Sequence, residues 1–169
     1  NKAMQPEGQH PIPTREVTIG ELLQKEGYVT GAFGKWGLGG PSSTGDPIDQ
    51  GFNRFFGYNC QRVAHSYYPP YLWSNKEKYV MKNNPPVPGH ASLPKGADPS
   101  NPRSYDVFKG QDYAPDRINE QALDFIRKNK NKPFGTGSNR VPRQPAQNQR
   151  ILTRSGSPRR NSATGHLSR

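Results

Sequence analysis

The chain has 169 residues, 24 Lys and Arg against 13 Asp and Glu, and a hydrophobic content of 30%. That length suits roughly one domain, but the apolar share is low beside the about 45–50%, Gly included, of ordinary globular chains. No apolar run approaches the about 20 residues that span a bilayer, no charged and apolar leader opens the residues, the 18 glycines have no period of three, and the single Cys60 rules out an intramolecular disulfide framework or a cysteine-rich zinc site.

Asn1–Pro13 is polar, proline-punctuated and without period, and reads as loop. Thr18-Ile19-Gly20-Glu21 fits a capping box, in which the Thr18 hydroxyl accepts the Glu21 amide and the Glu21 carboxylate reaches back. Val17 and Leu22 stand where a hydrophobic staple places them. Ile19, Leu22 and Leu23 share one face of a helix expected over 19–26, and Gly27 suits the position just past its end. Tyr28–Phe33 is rich in strand formers and runs into Gly34-Lys35-Trp36-Gly37-Leu38-Gly39-Gly40. A helix, a Gly turn and a strand in this order imply an α/β layer, and ligands of such sheets bind beyond the carboxyl ends of strands, where Lys35 sits.

Gly51–Tyr58 is an aromatic segment expected to form a short strand or a buried turn. Tyr71–Trp73 and Lys78–Met81, joined by Ser74–Glu77, resemble a small hairpin, and Asn83–Ser104, with six prolines, reads as irregular loop. Ala114–Asn129 is the second predicted helix. Pro115 suits its first turn, Asp116 and Glu120 lie toward its N-terminus, and Arg127 and Lys128 lie toward its C-terminus, both complementing the dipole. Ile118, Ala122, Phe125 and Ile126 form its core-facing stripe. Lys132-Pro133-Phe134 looks like entry to another strand, which the glycines of Gly135-Thr136-Gly137 are expected to abort.

The composition changes abruptly after Phe134. Residues 135–169 hold seven arginines and no Lys, Asp, Glu or aromatic residue, while residues 1–134 hold 17 basic residues and all 13 acids, so they carry only +4 of the net +11. The chain is therefore divided into a body, 1–134, and an Arg-rich tail, 135–169. The tail is too poor in apolar surface to offset its ordering entropy and is expected to be disordered. It reads either as an arm that binds nucleic acid through its cations or as the translation of a wrong frame. The simultaneous loss of every lysine, acid and aromatic favours the second reading.

Gly34-Lys35 invites comparison with a phosphate-binding P-loop, but that motif needs Gly at 29 and Ser or Thr at 36, where this chain has Val29 and Trp36. Lys35 is then either a solvated loop lysine or a cation set among glycines that let anions approach the backbone. His10, His65, His90 and His166 show no metal-ligand spacing. His65 alone lies among aromatics, in Ala64-His65-Ser66-Tyr67-Tyr68-Pro69, and on that segment alone reads as a packed histidine. Cys60 is a nucleophile only in principle and reads more simply as a buried small apolar residue.

Several segments together resemble the sulfatase family, in its bacterial arylsulfatase-A-like branch. They are the Leu22-Leu23 helix ending in Gly27-Tyr28, Gly34-Lys35-Trp36-Gly37-Leu38-Gly39, Gly51-Phe52-Asn53-Arg54-Phe55-Phe56-Gly57, Cys60–Pro69, Ala122–Ile126 and Lys132-Pro133-Phe134. The match covers most of residues 11–134. The resemblance implies a piece of an alkaline-phosphatase-like α/β/α sandwich and hydrolysis of sulfuric esters, with a sulfated sugar or aryl sulfate as substrate. It also implies a periplasmic or extracellular location and no membrane. By resemblance Lys35 binds the substrate sulfate and His65 belongs to the same pocket, and the family uses calcium. This sequence departs from the pattern in three places. Gly37 stands where the family's Gly-Lys-Trp-His pattern has a histidine. Cys60 is followed by Gln61-Arg62-Val63-Ala64 and so is not the family nucleophile. The acidic pairs that hold calcium have no counterparts. The isolated chain is therefore expected to be inactive. The alternative is a non-catalytic basic protein binding nucleic acid through its tail.

Overall fold

A computed structural model describes residues 10–82, 84 and 91–138. The expectation of a disordered tail thus falls almost wholly outside the described residues. The elements run α1 (Ile19–Lys25), β1 (Val29–Lys35), β2 (Arg54–Tyr58), β3 (Tyr71–Ser74), β4 (Glu77–Val80), α2 (Ala114–Asn129) and β5 (Phe134–Ser138), with 3-10 turns at Val63–His65 and Pro102–Phe108. The strands form one mixed sheet in the order β4-β3-β2-β1-β5. β1 is parallel to both β2 and β5, while β2, β3 and β4 pair antiparallel. The class expected from the helix–Gly–strand order, α/β, is the one observed.

The capping box forms: Glu21 N donates to Thr18 Oγ1 at 3.2 Å and Thr18 N to Glu21 Oε2 at 2.8 Å. The face that α1 buries differs from the expected one. Val17, Ile19 and Leu22 are 61%, 63% and 49% exposed, and the buried residue is Gly20. A Cβ on Gly20 would lie 2.8 Å from the carbonyl oxygens of both Gln50 and Gly51. The helix therefore approaches the loop before β2 through its smallest residue, where any larger side chain would hold the two backbones apart. Thr18 Oγ1 donates to Gln50 O at 2.6 Å and fully buried Thr30 Oγ1 to Gly51 O at 2.6 Å, so two hydroxyls fasten the same loop.

α2 has the bounds predicted for it. Ile118 and Phe125 are buried and Ala122 packs partly against the core, but Ile126 is 37% exposed and leaves the predicted stripe. The helix lies on one face of the sheet, over Phe33, Phe56 and Leu72, with Phe33 and Phe125 ring centroids 5.5 Å apart. The opposite face buries Ala32, Phe52 and Phe55 under Trp36, Ile48 and Trp73. Alternation along β1 and β2 sends neighbouring aromatics such as Phe55 and Phe56 into these two clusters.

The strand expected to fail after Phe134 is formed. β5 continues to Ser138, in register with β1 from Val29↔Phe134 to Phe33↔Ser138. Its glycines are weak strand formers by side chain, yet pairing supplies the backbone hydrogen bonds. At Gly135 the missing side chain makes room for α1, since a Cβ there would stand 2.7 Å from Leu23 Cδ1. The predicted irregular loop also ends differently, in the turn Pro102–Phe108, opened by Asn101 Oδ1 accepting from Arg103 N at 3.0 Å.

A polar network seats the start of α2. Arg117 Nε donates to Asp112 Oδ1 at 2.6 Å, Lys82 N to Asp112 Oδ2 at 3.2 Å, and Asn84 Nδ2 to the carbonyls of Pro69 and Asp112. Burial alone would raise the Asp112 pKa, but the Arg117 and Lys82 contacts outweigh it and hold the carboxyl below its usual value. A depressed carboxylate stabilises the fold above its unfolded pKa of about 3.9 and loses that contribution as pH falls through the lower folded value. Asp112→Asn should therefore lower the urea midpoint at neutral pH, with the gap to wild type closing on acidification below that value. Phe125→Ala should cost about 3–5 kcal/mol at any pH in the same titrations.

Candidate functional site

Lys35 is the last residue of β1 and is exposed. Across the parallel ladder its register partner is Tyr58, the last residue of β2. The ladder continues past both strand ends, with Trp36 N donating to Tyr58 O at 2.9 Å and Gly37 N to Asn59 O at 3.0 Å. The Trp36 indole donates to Gly45 O at 2.7 Å and meets Phe52 edge-on at 5.5 Å. Lys35 is thus the exposed end of an otherwise buried strand. Its Cα is fixed from both sides of the chain, and its charge reaches outward at the carboxyl edge of the sheet, where α/β folds bind ligands.

Tyr58 also fixes the segment that carries His65. Its hydroxyl donates to Ser66 O at 2.7 Å, and burial, reinforced by neighbouring Tyr67 and Tyr113, pushes its pKa well above the usual phenol range, so it remains a donor. The turn itself is held by Ala64 N to Cys60 O, His65 N to Arg62 O and Ser66 N to Val63 O. His65 is exposed at the end of this turn, in place of the packed setting read from its segment alone. The two residues singled out by resemblance, Lys35 and His65, therefore lie at the same end of the sheet, each carried by the chain leaving one of two adjacent parallel strands.

Cys60 is buried at 2% exposure, as expected of a small apolar residue. Beside it Asn59 is fully buried, and neither polar atom of its side chain has a hydrogen-bond partner among the described residues. Asn59 lines a small pocket with Tyr58, Cys60, Val63, Tyr71 and Trp73. Gln61 packs directly against Gly37, a contact between residues 24 apart that no local sequence signal announces. Asn59 and Tyr58 could have been singled out only by knowing that β2 ends beside Lys35.

Among the described residues no three His, Cys, Asp or Glu side chains converge. The carboxylates nearest the site in sequence are committed elsewhere: Asp46 caps Ser42 N and Ile48 N, and Lys76 bridges Asp49 at 2.8 Å and Asp46 at 3.9 Å. Calcium takes six to eight oxygen ligands, and these residues do not fit that requirement.

The Sulfatase family profile matches residues 1–135. The chain belongs to the sulfatase family. Human arylsulfatase A is 47% identical over 53 residues, covering 31% of this chain and 10% of that protein. Dog arylsulfatase G is 34% identical over 100 residues, covering 57% of this chain and 16% of that protein. The chain thus spans only a small part of the length of these relatives. The crystal structure of Ps i-CgsB matches at a TM-score of 0.53 with 21% identity, over 82% of this chain and 29% of that one. Its complex with k-i-k-neocarrahexaose matches at 0.53 with 22% identity, over 83% and 30%. At those identities the likeness is one of fold.

The Tyr58 hydroxyl is the contact that ties β2 to the His65 turn. Tyr58→Phe should leave the Ser66 carbonyl unsatisfied and cost about 1–3 kcal/mol in urea unfolding. The largest amide NMR shifts should fall within residues 62–67.

Proposed function

We propose that this chain is the sulfate-holding edge of a sulfuric ester hydrolase, with Lys35 and His65 directed at the sulfuryl group. The observation that carries this reading is the placement of Lys35 at the end of a parallel strand, backbone-locked to Tyr58, within a family-matched segment. Sulfuryl transfer builds negative charge on the sulfate oxygens and on the leaving oxygen. A cation aimed at those oxygens lowers the barrier more than it lowers the ground state. His65, on the neighbouring turn, offers a ring N–H to the same oxygens or a proton for the leaving group.

The substrate class is a sulfated sugar or aryl sulfate. Support comes from the arylsulfatase relatives and from the sugar complex of the structural neighbour. Calcium is the family's metal, and its ligands are to be sought outside the described residues. The location consistent with the family is periplasmic or extracellular, and no helix among the described residues is long and apolar enough to cross a membrane. The competing reading, a basic nucleic-acid binder, rests on the Arg-rich tail 135–169, whose arginines lie at 140–169. It would be favoured by nucleic-acid affinity that falls steeply with salt and disappears when those residues are removed.

Two measurements test the proposal. Sodium sulfate titrated into the labelled chain should shift the amides of 34–37 and 58–66 saturably, and Lys35→Ala should weaken that binding about ten-fold or more, the loss of one charge-assisted hydrogen bond. An aryl sulfate should not be turned over by the chain alone. One electrostatic donor is worth about 10²–10³ in rate, against accelerations of at least about 10⁶ for enzymes. Sulfate binding indifferent to Lys35 would overturn this assignment, whereas turnover by the chain that Lys35→Ala abolishes would overturn the expected inactivity.

A further inference from the structure

Gly37 has φ +81, a backbone conformation that side chains other than glycine's rarely adopt. The space its missing side chain would occupy is taken. A Cβ there would stand 2.6 Å from Gln61 Cγ and 2.9 Å from Gln61 Cδ, with Gln61 Nε2 nearer still. The carboxamide of Gln61 therefore lies on the backbone of residue 37, two positions past Lys35. Gly37 is buried, whereas Gln61 is exposed, so the amide forms a lid over the strand end with one side toward solvent.

The same short turn carries Gln61 at its start and His65 at its end, because Ala64 N donates to Cys60 O and His65 N to Arg62 O. The ladder from Gly37 N to Asn59 O brings this turn against the chain leaving β1. Three chemically distinct groups, an ammonium, an imidazole and a carboxamide, are thus presented from two adjacent strand ends. A carboxamide offers two N–H donors and keeps them at every pH. Donors of that kind beside a lysine make an oxyanion contact that needs no proton transfer.

We infer that the Gln61 side-chain amide is a substrate-binding group of the sulfate site, donating through Nε2 to a sulfate oxygen beside Lys35. The inference rests on the assignment of Lys35 as a sulfate ligand. It extends that assignment by a residue that the strand-end motif does not contain. Gly37 has a stated part in it, since only the absence of a side chain at 37 leaves the amide in place.

The test is sodium sulfate titration of the chain, followed through the side-chain NH₂ resonances of Gln61 and the backbone amides of 34–37. The Gln61 resonances are expected to move with the same saturation as the Lys35 amide. Gln61→Ala is expected to weaken sulfate binding about ten-fold. The near-isosteric Gln61→Glu is expected to abolish binding, because it sets a negative charge against the anion. If Gln61 only fills the space over Gly37, Gln61→Ala will lower the unfolding midpoint while sulfate affinity and the Lys35 dependence stay as they were, which overturns the inference and leaves Lys35 assigned. Sulfate shifts that do not depend on Lys35 would overturn the underlying assignment, and the inference with it. Should Gln61→Ala fail to fold, the Gln61 NH₂ resonances of the wild-type chain decide the matter: no movement on saturation with sulfate refutes the contact.

Discussion

The parallel ladder between β1 and β2 does not stop where the strands do, and the carboxyl edge of the sheet depends on that continuation. Trp36 N to Tyr58 O and Gly37 N to Asn59 O hold the two outgoing chains together for another two residues. Without these bonds the glycine-rich run after Lys35 would have no fixed direction, since glycine pays the largest conformational entropy on ordering. With them, two segments separated by more than twenty residues share one geometry. The indole of Trp36 adds a third tether at Gly45 O, and its ring closes the cluster of Phe52 and Phe55. Fixing the backbone this firmly sets where the exposed Lys35 side chain leaves the strand end.

The sheet is held in a matching way from its other side. β1 lies between two parallel neighbours, and its residues alternate between two aromatic clusters, one under α2 and one under the loop that α1 approaches. The close approach of α1 is set by Gly20 and by two buried hydroxyl contacts to Gln50 and Gly51, not by a hydrophobic seam. That explains why Val17, Ile19 and Leu22 remain open to solvent. The loop fastened there leads directly into β2, so the position of α1 is transmitted to the strand that carries Tyr58.

What could be read from the sequence follows the distinction between local and non-local causes. Helix α2 was legible because its proline, its charge order and its apolar period lie within sixteen residues, and only Ile126, at the margin of the stripe, turned outward. The capping box of α1 was equally local. The buried side of α1 was not, because it is decided by carbonyls thirty residues away. β5 was missed for the same reason: Gly135 and Gly137 argue against a strand by themselves, and only β1 makes them one. At the site, Lys35 and His65 came through motif resemblance, whereas the packing of Gln61 on Gly37 belongs to the fold alone.

Exposure limits what the edge can do as it stands. A charge pair at 4 Å is worth about 1 kcal/mol in bulk water but about 4 kcal/mol at the effective dielectric of a partly enclosed protein site. Lys35 and His65 are both exposed, and the small pocket beside them is lined by Asn59, Val63, Tyr71 and Trp73, not by the lysine. Selecting an anion is within reach of such an arrangement, since steering needs only a net positive edge with donors fixed in place. Stabilising a transferring sulfuryl group requires more, because water must be kept from competing with those donors at the moment charge develops. The walls that would exclude it have to come from polypeptide beyond this sheet edge. The tenth to a sixth of relatives' length that this chain covers is in keeping with that requirement: 10% of arylsulfatase A and 16% of arylsulfatase G. On the proposed function, binding and catalysis thus separate physically: the first would rest on backbone geometry that β1 and β2 already impose, the second on an enclosure that these strands do not provide.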